Sequence, residues 1–158
     1  MMGILQVASY IYKRYMDDFG VRIDEMKLHK LLYFTQRECL IQKGEPMFEA
    51  LFEAWKYGPV MVQIRQYYKN DSFPELIDKE QVVQYEPVFD MVFKTYAPQK
   101  SWSLSTLTHG EYSLKHAREG YDELDSCEVE MKTEDIMVDA NRVRERRAVL
   151  RQLNLYNA

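Results

Sequence analysis

Apolar residues recur at helical spacing along most of this chain, beginning at its amino-terminal end. A helix is predicted from Gly3 to Phe19, because Gly20 can adopt the left-handed conformation that ends a helix. Its apolar stripe consists of Ile4, Ala8, Ile11 and Tyr15. A second helix is predicted to follow Asp24, whose carboxylate can accept hydrogen bonds from the free N–H groups of the first turn, and to end at Gly44. The apolar face of that helix consists of Leu28, Leu31, Leu32, Thr35 and Cys39.

The spacing changes between Glu45 and Tyr57, where the apolar positions fit a strand better than a helix. These positions are Phe48, Ala50, Phe52 and Ala54. A short β-hairpin or an extended crossing is therefore predicted near residues 48–56. Pro59 is predicted to begin the next helix, since its φ is already helical and the first turn needs no N–H from it.

The stretch AWKYGP (54–59) forms the corner between these two predicted elements. Gly58 permits a sharp bend in the backbone, and we expect Trp55 and Tyr57 to pin that bend. The stretch is therefore interpreted as architecture rather than as part of a catalytic site. An open cavity between Trp55 and Tyr57, with reactive side chains converging on it, would contradict this interpretation.

Further helices are predicted in the second half of the chain. One begins at Glu86-Pro87, unless a longer helix is kinked there. Its apolar ladder is Val88, Phe89, Val92, Phe93 and Tyr96. Ser101 is predicted to cap a short helix that extends to Leu107, and another helix is predicted from Tyr112 to Glu119.

An exposed loop, residues 119–132, and a basic helix, residues 133–155, are predicted to complete the chain. Thr133 is the expected cap of that helix, whose inner side would consist of Ile136, Ala140, Val143, Leu150 and Leu153. The prediction is a mainly α, compact single domain (1–158) of six or seven helices with one small β element. A chain of this length can bury a core without disulfides or metal.

The composition is that of a globular protein, with 46% apolar and 29% charged residues. The two cysteines, Cys39 and Cys127, define neither a disulfide framework nor a zinc motif. The amino-terminal segment resembles no signal peptide, and no stretch approaches the ~18 apolar residues of a membrane span. We therefore expect a cytoplasmic protein without a membrane partner.

The net charge of −4 disfavours general affinity for nucleic acid, but the charges are segregated. Eight acidic residues lie between positions 119 and 135, and the following helix carries Arg142, Arg144, Arg146, Arg147 and Arg151. The arginines are either a phosphate-binding strip or the solvated end of a helix whose dipole favours cations. The acidic segment is either a soluble connector or a surface for a basic protein. In the second case the predicted contacts are Tyr121, Asp122, Glu123, Asp125 and Glu128.

No nucleotide-binding, metalloprotease or hydrolase motif is present in the sequence. His109 and His116 lie seven residues apart, which matches no known metal-ligand spacing, and His29 is distant from both. His109 follows three serines, but it is better placed to cap carbonyl groups at a helix end than to activate a hydroxyl. We therefore predict no catalytic residue, no metal site and no cofactor.

Two segments resemble the Panacea domain of SocA-like antitoxins, which also occurs in phage-associated proteins. They are DEMKLHKLLYFTQRECLIQKGEPMFEALFEAWKYGPV and SLSTLTHGEYSLKHA, and the resemblance covers roughly Met26 to Ala117. One departure is Leu114, which stands where family members usually have tryptophan. The family motif maps to Leu28, Lys30, Leu31, Leu32, Tyr33, Trp55, Tyr57, Gly58, Pro59, Val60, Thr108 and His109. Most of these are interpreted as scaffold.

The resemblance implies a non-enzymatic antitoxin that neutralises a cognate protein toxin by direct binding. Some family members hand the toxin to a protease, so a host protease is a further expected partner, and a homo-oligomer is left open. Two alternatives remain: a phage or mobile-element regulator that binds host machinery, and a nucleic-acid-binding autoregulator that uses the arginine helix. An enzyme, a metal- or histidine-dependent hydrolase, is the least favoured hypothesis.

Overall fold

The other elements pack around the second helix, α2 (Glu25–Lys43). The structure is a computed structural model and describes residues 1–75 and 78–154. Every residue of α2 from Lys27 to Leu40 is buried. The sequence pattern predicted one apolar face, but here all faces of the helix are covered. Its polar residues must therefore find partners inside the protein, because an unpaired polar group in a core costs free energy.

The ends of the first two helices form as predicted. Helix α1 (Ile4–Phe19) is followed by Gly20 at φ 71°, whose N–H donates to the carbonyl oxygen of Met16. Asp24 caps α2 by accepting from the N–H of Lys27, and Gly44 ends that helix at φ 75°. These local signals decided the boundaries of both helices.

The predicted β element is a hairpin of β1 (Phe52–Trp55) and β2 (Gly58–Met61), in which Trp55 pairs with Gly58. The prediction that Pro59 begins a helix is wrong, since Pro59 lies in β2 opposite Ala54. The N–H of Ala54 donates to the carbonyl of Val129, and the carbonyl of Ala54 accepts from Arg118. Because Ala54 forms both of these bonds outside the hairpin, the ladder needs no N–H from Pro59, its partner residue. The chain becomes helical only afterwards, in a 3-10 turn (Val62–Ile64) and α3 (Arg65–Lys69).

The described residues contain five further helices: α4 (Lys79–Gln84), α5 (Glu86–Thr95), α6 (Ser101–His109), α7 (Tyr112–Ala117) and α8 (Thr133–Gln152). The mainly α fold with a short hairpin is confirmed, with eight α-helices where six or seven were predicted. The additional helix is α4, which ends before the predicted start at Glu86-Pro87. None of the described helices combines the length and apolarity needed to cross a membrane.

Several predicted helix details are wrong. Ser101 does not cap α6, because its hydroxyl donates to the Asp24 carboxylate at 2.7 Å and Lys100 occupies the cap position. Thr133 lies inside α8 and makes no cap bond. Helix α7 ends at Ala117 rather than Glu119, and α8 ends at Gln152, while position 155 lies outside the described residues. Leu153 does not line the core, since its side chain is 60% exposed.

The predicted exposed loop is only partly exposed. Its Cys127 and Met131 are buried, and Glu130 bridges to Glu53 of β1. The N–H of Met131 donates to the carbonyl of Phe52, so an isolated β-bridge joins this segment to β1. Cys39 and Cys127 are free thiols, and burial raises the pKa of Cys39 to about 11, as expected for a small buried apolar residue.

Helix α8 packs along α2 through two of its arginines. Arg144 donates to the carbonyl oxygens of Leu40 and Ile41 near the end of α2. Arg147 makes two parallel bonds, of 2.8 and 2.9 Å, to the carboxylate of Glu38, whose side chain is 1% exposed. Part of the basic segment therefore holds the last helix in place.

We predict that Arg147→Met lowers the free energy of unfolding by about 3 to 5 kcal/mol, because it leaves the Glu38 carboxylate buried without its ion-pair partner. Urea unfolding checks this, with Arg146→Met as the control, since Arg146 is exposed on the same helix. The double variant Glu38→Met, Arg147→Met should recover part of the loss. Equal stability of the two single variants would contradict the role given to this pair.

Candidate functional site

The turn of the β-hairpin is held by side chains from two distant helices. The carbonyl of Lys56 accepts from His109 Nε2 at 2.7 Å, and the carbonyl of Tyr57 accepts from the Ser105 hydroxyl at 2.7 Å. On the other side, the carbonyl of Pro59 accepts from Lys30 Nζ at 3.2 Å. Carbonyl groups that would ordinarily face water in a turn are thus bound by α6 and α2.

His109 joins the turn to the end of its own helix. Its Nδ1 lies 2.7 Å from the carbonyl of Ser105, while its Nε2 bonds Lys56. Both acceptors are carbonyl oxygens, so the two bonds form together when the ring carries both protons. The predicted use of His109 in capping carbonyl groups is confirmed.

Gly58 is required where these groups meet. Its φ of 113° is strained for any residue with a side chain. A Cβ at this position would lie 2.5 Å from Thr108 Oγ1 and 2.8 Å from Lys30 Cε. The Thr108 hydroxyl is itself fixed by a 2.7 Å bond to Ser105, so it cannot give way without breaking that bond. This contact explains the glycine and the threonine of the family motif together.

Lys30 is a buried cation next to the turn. Its side chain is 1% exposed, and burial lowers its pKa from 10.5 to about 7, an effect that Asp24 and Glu25 partly offset. Its bond to Pro59 is the one hydrogen bond that its ammonium group makes to the described residues. An ammonium group carries three donors, so two of them have no acceptor within residues 1–75 and 78–154.

An open cavity of about 390 Å³ lies against the turn, and Lys30 is part of its wall. Met26, Trp55, Tyr57, Val60 and Arg65 also line it. The expectation that Trp55 and Tyr57 pin the corner is therefore wrong. Tyr57 is 40% exposed and packs edge-on against Trp102, which is 62% exposed. Lys30, Ser105 and His109 hold the corner instead.

The chemistry of this cavity favours binding. His29 in its wall is engaged at both nitrogens, because Nδ1 accepts from the N–H of Met61 and Nε2 donates to Glu25 at 3.0 Å. Burial lowers the pKa of His29, which keeps the ring neutral. Glu25 is also bound by Arg65 at 2.9 Å, and these two bonds lower its pKa to about 2. None of the cavity's described lining residues pairs a nucleophile with a free base, and the described residues contain no cluster of three metal-ligand side chains.

The five residues predicted to contact a partner lie in a loop organised by Arg118. The buried guanidinium donates to the carbonyl groups of Ala54, Asp122 and Asp125 at 2.8, 3.0 and 2.8 Å. The loop backbone is thus wrapped around one cation, and the carboxylates of its exposed residues remain outside. Tyr121, Asp122, Glu123, Asp125 and Glu128 are all exposed.

The acidic loop and the hairpin turn lie side by side. Trp55 and Lys56 line a second cavity, of about 280 Å³, together with Ser126, Cys127 and Glu128. The structure thereby joins two regions whose proximity no local sequence signal predicts. We name this surface, formed by the hairpin turn, Trp102 and residues 121–128, the turn face.

All motif residues but Tyr33 separate into two groups. Lys30, Trp55, Tyr57, Gly58, Pro59, Val60, Thr108 and His109 surround the turn, whereas Leu28, Leu31 and Leu32 are core residues. Tyr33 belongs elsewhere, because its hydroxyl lies 2.8 Å from Glu111 and 3.2 Å from Asp139, which caps α7. Sequence reasoning missed Ser105 and Arg118. Thr108, three residues after Ser105, was the signal that could have pointed to Ser105. No residue near Arg118 in the sequence pointed to its role.

Comparison with known proteins identifies the family of this chain. Residues 28–113, more than half of the chain, match the family described as "Antitoxin SocA-like, Panacea domain". The chain belongs to this family. It is also similar to a protein named "Antitoxin SocA" from Caulobacter vibrioides (strain NA1000 / CB15N), with 48% identity over 40 residues. That similarity covers 25% of this chain and 21% of the relative's length. No solved structure matches the chain.

Gly58→Ala is predicted to destabilise the protein by about 3 kcal/mol or more, because it combines backbone strain with a collision against Thr108 and Lys30. The matched control is Gly44→Ala, which has φ 75° but no atom within 4 Å of the new methyl group. That control should cost about 1 kcal/mol. Thermal and urea unfolding measure both variants, and similar losses would show that the turn is not tightly held.

Lys30 is predicted to make stability depend on pH. Its folded-state pKa, about 7, lies below its ordinary value of 10.5, so between these values the folded state binds fewer protons than the unfolded state. Stability therefore rises with pH in that range. The free energy of unfolding of the wild type should increase relative to that of Lys30→Met between pH 6 and 9. A constant difference between the two proteins would mean that Lys30 is not perturbed.

Proposed function

We propose that this protein is an antitoxin that neutralises a cognate protein toxin by direct binding and catalyses no reaction. Membership of the SocA-like family carries the proposal, and the relative named as an antitoxin agrees with it. The cavity at the hairpin turn supports a binding role, because its histidine and its glutamate are already engaged by neighbouring groups. We propose that the antitoxin and the toxin bind each other in the cytoplasm.

We propose that the toxin contacts the turn face through the acidic side chains of Asp122, Glu123, Asp125 and Glu128 and through Tyr121. Arg118 holds the loop backbone in advance, so little ordering entropy is lost when a partner binds. The exposed carboxylates would steer a basic surface toward this face. Tyr57 and Trp102, which pack edge-on against each other at the hairpin turn, are suited to anchor the contact.

The arginine helix is a weaker candidate for partner binding. The guanidinium groups of Arg144 and Arg147 already bond the end of α2 and the buried Glu38. This internal use weighs against a nucleic-acid-binding autoregulator that would need those two groups. Delivery of the bound toxin to a host protease is a further step that we propose on the family resemblance alone.

Co-expression with the product of the adjacent gene tests neutralisation. We predict that the protein restores growth and co-purifies with that product. The absence of both effects would contradict the proposed function, and would favour a regulator of host machinery instead.

We predict that the double variant Glu123→Lys, Glu128→Lys weakens toxin binding about tenfold or more, with a larger loss at low salt, because like charges then oppose each other. The control is Asp17→Lys, Glu145→Lys, which makes the same charge change at exposed positions of α1 and α8. Titration calorimetry with the purified toxin measures both variants. Unchanged affinity of the first variant would remove the loop from the interface.

A further inference from the structure

We infer that the cavity between α2 and the hairpin turn is a binding site for a single carboxylate group carried on an apolar or aromatic moiety. The inference goes beyond the proposed function, since it concerns the ligand chemistry of this cavity whatever molecule supplies the carboxylate. Where the toxin supplies it, as an acidic side chain, the inference rests on the proposed function.

The first argument is the set of donors on Lys30. Its side chain is 1% exposed, yet it borders an open cavity, and one of its three N–H groups is bound to Pro59. A carboxylate oxygen accepts strongly from an ammonium group, and the two oxygens match the two remaining donors. Burial strengthens such a bond, because fewer water molecules compete with it.

The second argument is the apolar surface around that cation. Trp55 and Tyr57 present aromatic rings to the cavity, and Met26 and Val60 add aliphatic surface. A volume of about 390 Å³ lies in the range of small-ligand sites, which combine apolar walls with a few fixed polar groups. The ligand is therefore expected to carry a ring or a branched chain next to its carboxylate.

The third argument is charge, which favours an anionic ligand. Glu25 also lines the cavity and is ionised, because His29 and Arg65 hold its pKa at about 2. Arg65 offsets that carboxylate, and Lys30 and Lys56, which also line the cavity, give its wall an excess of basic groups. This excess attracts a carboxylate.

Nuclear magnetic resonance of the full chain tests the site with two probes of the same shape. These are 3-phenylpropanoate and its neutral analogue 3-phenylpropanamide. We expect the carboxylate to shift the indole N–H signal of Trp55 and the amide signals of Tyr57, Gly58 and Val60, with an affinity at least tenfold above that of the amide. Equal affinities, or no shift at these signals, would overturn the inference.

Two lysine variants test whether Lys30 causes the preference for the carboxylate probe over the amide. Lys30→Met should abolish the preference for the carboxylate. The control is Lys27→Met, because Lys27 is equally a buried lysine of α2 but bonds Tyr15 and Ala97, outside the cavity lining. A preference that survives in Lys30→Met would overturn the inference. Should that variant fail to fold, the two probes decide on the wild-type protein.

The results of the probe-binding experiment can be distinguished from those of the growth-rescue experiment. The probes involve no toxin, so a failed growth rescue leaves the binding result unchanged. Conversely, loss of the carboxylate preference leaves the antitoxin proposal standing on the family match and the acidic loop.

Discussion

The arrangement of the turn face depends on the capture of backbone carbonyl groups in the hairpin turn by side chains from helices far away in the sequence. Lys30 of α2 holds one side of the turn, and Ser105 and His109 of α6 hold the other. Gly58 lets these groups approach, since any side chain there would collide with Thr108 and Lys30. A two-stranded hairpin is marginal in isolation, so this attachment gives it one defined position.

Other buried polar side chains of α2 also hydrogen-bond neighbouring segments. Gln36 accepts from the N–H groups of Met47 and Phe48 and donates to the carbonyl of Phe48, which fixes the segment before β1. Arg37 reaches Glu111 before α7, and Glu38 binds Arg147 of α8. Such groups contribute less to net stability than apolar residues of the same size would, but they define a single arrangement of the segments around α2. This is a physical reason why a helix with so many polar residues can be fully buried.

The helical part of the fold could be predicted from the sequence because its signals are local. The caps at Asp24, Gly20 and Gly44 and the ladder of α5 each depend on residues within a few positions. Pro59 was misassigned because its fixed φ suits both the first turn of a helix and a strand position whose N–H the ladder does not need. Only the pairing with Ala54 distinguishes the two.

The site was harder to predict because its contacts are long-range. Lys30, Trp55 and Thr108 could be named as motif residues, but their convergence depends on how α2, the hairpin and α6 pack. The role of Arg118 was also hidden, since it binds carbonyl groups, which every residue possesses. The exposure of the acidic residues followed from their charge, whereas the position of Glu128 beside Trp55 did not.

The hairpin turn is thus held against two helices, with the exposed rings of Tyr57 and Trp102 at the turn and Glu128 of the acidic loop next to Trp55 and Lys56. We propose that the turn face binds the partner. Hydrogen exchange of the protein, alone and in complex with the product of the adjacent gene, tests it most directly. The account predicts slower exchange in residues 53–60, 101–109 and 121–130 of the complex. Protection confined to α1 and α4, with the turn face exchanging as in the free protein, would contradict it.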